Sequence, residues 1–167
     1  LLAGNANTNK YLDWNKDGTI NDPTDGFGLL QNGEPGYVDQ GYISQTISHA
    51  RFAAQGIDAT ENIKTQSANA VFCLENMKGW SEQLLEKALQ LQAMPFGTDM
   101  QPLLAEMKML SDKIISGVDS NGNDLIEPMA GEGGATTAYE YAYYMADMPL
   151  LIGAHRIPIP APAKQDP

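Results

Sequence analysis

Oxygen-bearing side chains recur at every second position from Asp13 through Asn15 to Asp17, followed by Gly18, Thr19, Ile20, Asn21 and Asp22. That spacing suits a hard cation. Side-chain oxygens at the first, third and fifth positions of a loop converge on one point, a glycine at the sixth allows the sharp turn, and the carbonyl at the seventh, Thr19, adds a ligand. Ile20 at the eighth position anchors the loop to a core while the polar residues face the ion. The ligand set expected is Asp13, Asn15, Asp17, Thr19 and Asn21, closed by Asp22 or Asp25. Position twelve itself is Thr24, and Pro23 redirects the exit so that either neighbouring carboxylate can reach inward. Without a cation the same residue types form a run of Asx turns, so that alternative stands beside the metal one.

A second copy starts at Asp119, with Asn121 and Asn123 at the third and fifth positions, Leu125 at the seventh and Ile126 at the eighth. Asp124 replaces the glycine, and Asp tolerates left-handed backbone better than most residues. Position twelve is Ala130, which leaves Glu127 at the ninth position and Glu132 beyond it as the available carboxylates. Both copies continue through a proline into a glycine-rich exit, Gly26-Phe27-Gly28 and Gly131-Glu132-Gly133-Gly134, a shared pattern that suggests an internal duplication. The two loops resemble the calcium loops of EF-hand and dockerin proteins. That resemblance implies two calcium sites and covers only the loops. Their separation of about a hundred residues is unlike the nearly adjacent repeats of a dockerin.

Composition frames the expectation. Lys+Arg number 10 against Asp+Glu 21, a formal net charge of −11, which disfavours nucleic acid as a partner and suits cation binding. The 167 residues are 43% hydrophobic, enough for one domain with a full core. The sole cysteine, Cys73, rules out an internal disulfide and reads, in Ala70-Val71-Phe72-Cys73-Leu74, as a buried inert thiol. No apolar run is long enough to span a membrane. The chain starts at Leu1 without an initiator Met, which points to a processed or trimmed product, with Leu1 to Gly4 as the end of an incoming helix or of a secretion signal. Asn-rich calcium loops without the position-twelve Glu are weak sites that fill at millimolar calcium, and this implies an extracytoplasmic location, secreted, periplasmic or cell-surface.

The elements that must carry the loops read as helices. Ile43, Ile47, Ala50 and Ala54 form a helical stripe over Tyr37 to about Ala54. Asp58-Ala59-Thr60-Glu61 has capping-box spacing for a second helix reaching Trp80, and Ser81 is expected to cap a third over Leu84, Leu85, Ala88, Leu89 and Leu91. A fourth starts at Thr98 with Leu103, Leu104, Met107, Leu110 and Ile114 inward, ending at Gly117; a fifth runs from about Thr137 to Leu151. No strand pattern is evident, and the tail from Ile157 alternates proline in the manner of polyproline II. The fold class expected is all-α, a bundle of four to five helices over residues 1–156 with an extended Pro-rich tail over 157–167.

No Glu-x-x-His, His-Glu-x-x-His, Cys-x-x-Cys-His, Gly-x-Ser-x-Gly or phosphate-loop motif occurs, so the chain is expected not to be an enzyme. His49 in the first helix is the one candidate core ligand for haem or copper, with His155 or a methionine as its partner; a hydrogen-bonded interface histidine is the plainer alternative. Met100, Met107 and Met109 fit core packing. Tyr139, Tyr141, Tyr143 and Tyr144 cover several faces of the last helix, either because it is buried on several sides or because it meets other protein subunits.

Overall fold

The computed structural model describes residues 28–30, 41–147, 151–152 and 157–158. Within them four helices follow in order: α1 (Tyr42–Ala54), α2 (Glu61–Ala93), α3 (Gln101–Ser116) and α4 (Ala135–Met145). The all-α expectation holds for these residues, apart from one short pairing. Leu151–Ile152 (β1) and Ile157–Pro158 (β2) form a two-residue antiparallel ladder. This corrects one expectation, since the last helix stops at Met145 and does not reach Leu151; of the proline-rich tail only Ile157–Pro158 lie among the described residues. The first calcium-like loop, Asp13 to Asp25, and the predicted helix start at Tyr37 lie outside the described residues.

The second and third predicted helices are one. No proline interrupts Glu61–Ala93, and Ser81 does not cap anything: it is fully buried inside α2. A serine in a helix interior is tolerated when the apolar stripe continues past it, and Trp80 and Leu84 carry the stripe across. The start of α2 also differs from the expected capping box. The Thr60 hydroxyl, not Asp58, accepts the Ile63 N–H at 3.2 Å. Thr98 likewise does not start α3, which begins at Gln101 after Met100, with the Asp99 carboxylate accepting the Gln101 N–H at 3.0 Å.

The long α2 is the spine against which α1, α3 and α4 all pack. The core joins Ile43 and Ile47 of α1, Val71, Cys73, Leu74, Met77 and Trp80 of α2, Leu110 and Ile114 of α3, and Ala138 of α4. On α3 only Leu110 and Ile114 are fully buried, with Leu103 and Met107 half-buried behind them, while Leu104 and Met109 face solvent, contrary to expectation. Surface ion pairs Arg51–Glu75 and Lys87–Glu106 bridge α1 to α2 and α2 to α3; pairs this exposed add little stability.

Hydrogen bonds fix the directions. Asn62 near the start of α2 donates to the carbonyls of Tyr144 and Asp147 at the end of α4, satisfying groups that a helix terminus leaves orphaned. Asn76, about 20 Å further along α2 at ~1.5 Å per residue, meets the turn that opens α4. Helix α4 therefore runs antiparallel to the first half of α2. Gly28, Leu29 and Leu30 brace the start of α1 in the same way, their carbonyls accepting from Tyr42, Ile43 and Gly41.

Candidate metal loop

Residues 117–134 connect α3 to α4 beside the middle of α2. The turn into this segment is Gly117 at φ 78, a left-handed conformation that ends α3. A side chain there has no room: its Cβ would lie 2.7 Å from Ile126 Cγ2 and 3.0 Å from Gly134 N, and against the Glu132 carbonyl. That crowding brings the two ends of the segment together, with the Val118 N–H donating to Glu132 O at 3.0 Å.

Four of the residues expected to bind calcium converge in the loop. The Asp119 carboxylate accepts from the N–H groups of Gly122 (2.6 Å), Asn123 (3.3 Å) and Asp124 (2.8 Å). Asn121 Oδ1 accepts from Asn123 N at 3.0 Å, and Asn123 Oδ1 from Leu125 N at 2.9 Å. These are the Asx turns the residue types predict, and they coil the backbone about the side-chain oxygens. Asp119 Oδ2, Asn121 Oδ1 and Asn123 Oδ1 each accept one of these bonds and keep a second lone pair, whereas Asp119 Oδ1 accepts two. Asp124 takes φ 64, the left-handed conformation expected of the residue standing in for glycine. Glu127 Oε2 closes the group, accepting from Nδ2 of Asn121 (3.0 Å) and of Asn123 (2.7 Å). The Leu125 side chain is exposed.

Glu132 approaches from the other side and is completely buried. Its Oε1 accepts from Ser120 N (3.3 Å) and Ser120 Oγ (3.0 Å), and its Oε2 from Glu127 N (3.1 Å). It thereby ties the second position of the loop to the ninth. All three donors are neutral, and among the described residues no lysine, arginine or histidine pairs with it. Also among the described residues, no three His, Cys, Asp or Glu side chains lie close enough to hold a metal. A cation here would rely on amide and carbonyl oxygens alongside carboxylates. Such a donor set is hard and all-oxygen, which fits calcium and not a soft or imidazole-seeking metal.

The backbone N–H groups of Asp124, then Gly122, Asn123 and Asn121, hold the Asp119 carboxyl below its usual range against a smaller opposing effect of desolvation. A carboxyl depressed in the folded state stabilises the loop at pH values above its unfolded pKa, and that contribution is lost as pH falls through the folded value. Acid titration followed by NMR is expected to show the Gly122 and Asp124 amides shifting only below the ordinary aspartate range. Amides that move at the pH of an unperturbed aspartate would contradict this.

The seat of the loop was not apparent from sequence. Asn76 donates from Nδ2 to Met129 O (2.7 Å) and Gly133 O (3.2 Å), and accepts at Oδ1 from Gly131 N (2.8 Å). One turn earlier on α2, Cys73 is fully buried against Gly133, where an added Cβ would overlap Sγ. Burial pushes this thiol up to about 11, as an inert core cysteine should be. The only local signal for Asn76 was an asparagine in the interior of a helix, where its propensity is poor.

The other candidates lie elsewhere. His49 is exposed on α1 and not at the bundle core, and His155 lies outside the described residues. Tyr139 and Tyr143, one turn apart on α4, are 72% and 65% exposed; Tyr144 packs edge-on against Tyr141 and Tyr143 at centroid distances of 6.0 and 6.2 Å. Helix α4 is therefore not enclosed on several sides. No described helix is long and apolar enough to cross a membrane. Against this geometry, comparison of the chain with family models, with curated proteins and with solved structures yields no match.

Proposed function

We propose that this chain is an exported, calcium-stabilised helical protein with a structural or protein-interaction role, a subunit or accessory of an extracytoplasmic assembly. The loop from Asp119 to Glu132 is one calcium site, and the segment from Asp13 to Asp25, of like sequence, is the other. The observation that carries the proposal is Glu132. A carboxylate taken wholly out of water costs several kcal/mol unless charge is compensated, and neutral donors offset only part of that. A cation held by Asp119, Asn121, Asn123, Glu127 and the Leu125 carbonyl would supply the missing positive charge close by. The net charge of −11 favours the same ligand.

With few carboxylates the affinity is low, which suits calcium at extracellular concentration and gives the exported location its support. The exposed tyrosines of α4 support an interaction role, since aromatic side chains left in water are characteristic of contact surfaces. Calcium at a hundred times its Kd adds about 2.7 kcal/mol to stability, which for a chain of this size raises the melting temperature by roughly 5–10 °C. Melting in millimolar calcium and in EGTA is expected to differ by that amount, and the difference should shrink in Asp119→Ala. Identical melting curves in the two buffers would eliminate the calcium role.

A further inference from the structure

We propose that Asn121 is a self-modification site: the pair Asn121-Gly122 closes to a cyclic imide that hydrolyses to aspartate or isoaspartate, and the Asp119 carboxylate holds this reaction off while the loop is closed. An asparagine followed by glycine loses its side-chain amide most easily, because no side chain on the second residue obstructs attack by its backbone nitrogen. Asn121-Gly122 is the only such pair among the described residues. Both residues are exposed, and the space beside the Gly122 Cα is open, so water and base reach them.

The reaction makes a definite geometric demand. Solvent base removes the Gly122 amide proton, the nitrogen attacks Asn121 Cγ, the Cγ–Nδ2 bond breaks, and ammonia leaves after taking a proton from water. Water then opens the imide at either carbonyl, so one water enters and one ammonia departs with no oxidation or reduction. In the planar imide, Cγ stands where the amide hydrogen stood. In the closed loop that direction is taken, because the Gly122 N–H donates to Asp119 Oδ1 at 2.6 Å. A nitrogen deprotonated there would turn its lone pair on a carboxylate, and Cγ cannot enter from the same side. The carboxamide is tied as well: its Oδ1 accepts from Asn123 N (3.0 Å) and its Nδ2 donates to Glu127 Oε2 (3.0 Å). Attack therefore waits for local opening, and its rate follows the population of the opened loop. The product cannot reclose in the same way. A carboxylate at residue 121 has no hydrogen to give Glu127 Oε2 and faces it as a like charge. The modification thus converts a transient opening into a permanent weakening of the loop.

The test follows full-length protein in mildly alkaline buffer with EGTA, which keeps metal out of the comparison. Peptide mass spectrometry locates the exchange of amide for acid and separates aspartate from isoaspartate. Asn121 in the folded parent is expected to react about tenfold or more slowly than in the same chain unfolded in urea. Asp119→Ala is expected to speed the reaction of the folded protein by about tenfold or more, the worth of a hydrogen bond to a charged group. Asp119→Asn keeps an acceptor oxygen without the charge; it covers the case in which the alanine variant does not fold, and its rate should fall between. Asn123→Ala is the control. It gives up the side-chain bonds to Leu125 N and Glu127 Oε2 but leaves the bond from Gly122 to Asp119, so its rate should change far less. Asn121→Asp, which reproduces the aspartate product, should melt about 3 °C below the parent. Equal rates in the folded and urea-unfolded parent, no acceleration in either Asp119 variant, or equal acceleration in Asn123→Ala would overturn the protection by Asp119. An Asn121→Asp protein as stable as the parent would overturn the permanent weakening.

Discussion

Gly133→Ala is expected to destabilise the protein by about 3 kcal/mol, the upper part of the range for overpacking a filled core. The added methyl would overlap Cys73 Sγ and would stand 3.1 Å from Glu127 O and 3.2 Å from Cys73 Cβ. Neither side can yield cheaply. Cys73 is wholly enclosed on the central helix, and the Glu127 carbonyl belongs to the loop backbone that Glu132 and Asn76 hold in place. Removing the sulfur should relieve part of the conflict. Cys73→Ala alone leaves a small cavity costing about 1 kcal/mol, and the double variant should be more stable than the sum of the two by about 1–2 kcal/mol. Urea denaturation of the four proteins in EGTA measures this without any contribution from metal. A Gly133→Ala chain within about 0.5 kcal/mol of the parent would mean that the loop does not sit on α2 as described.

How much of this was legible in the sequence depends on the range of the interaction. Local patterns transferred well. The Asx-turn spacing from Asp119 to Asn123 produced the coiled loop, the residue in the glycine slot took the left-handed conformation, and Gly117 ended its helix. Helix boundaries failed where two local signals competed. Ser81 has the chemistry of a cap, but the apolar stripe of α2 runs through it, and packing against three other helices outweighs a weak local preference. On α3 the apolar residues outnumber the buried ones because α2 is its main neighbour. Leu103, Met107, Leu110 and Ile114 recur at the spacing of a single narrow seam, and Leu104 and Met109 fall outside it. The supports of the loop were not legible at all. Asn76 and Cys73 meet it only through the antiparallel return of α4 along α2, and no spacing rule in one dimension encodes that return. Sequence could nominate Glu132 as a late carboxylate, but not that it would be completely enclosed with neutral donors as its partners.

That enclosure makes Glu132→Gln the most discriminating change in the molecule. The amide can present its oxygen to Ser120 N and Oγ, but its NH2 then faces the Glu127 N–H, donor against donor, and a buried donor left without a partner costs about 1–3 kcal/mol. Acting against this, the variant no longer buries a charge, which recovers some desolvation energy. In EGTA the two effects oppose, and the net loss is expected to be small, about 1 kcal/mol. With calcium present the balance shifts. The charge that the parent buries then attracts a cation within the same loop, while the neutral amide does not, so the variant should fall behind by about 3 kcal/mol or more. The expected signature is therefore a calcium-dependent gap: the two proteins melt close together in EGTA and well apart in millimolar calcium. A gap of equal size in both buffers would make Glu132 a structural latch unconnected with metal, and calcium shifts of equal size in the two proteins would do the same. Glu132→Ala separates these contributions further, because it removes acceptor and charge at once and orphans the N–H groups of both Ser120 and Glu127. Its loss in EGTA should exceed that of Glu132→Gln by about 2 kcal/mol, one further unpaired donor and the cavity where the side chain lay.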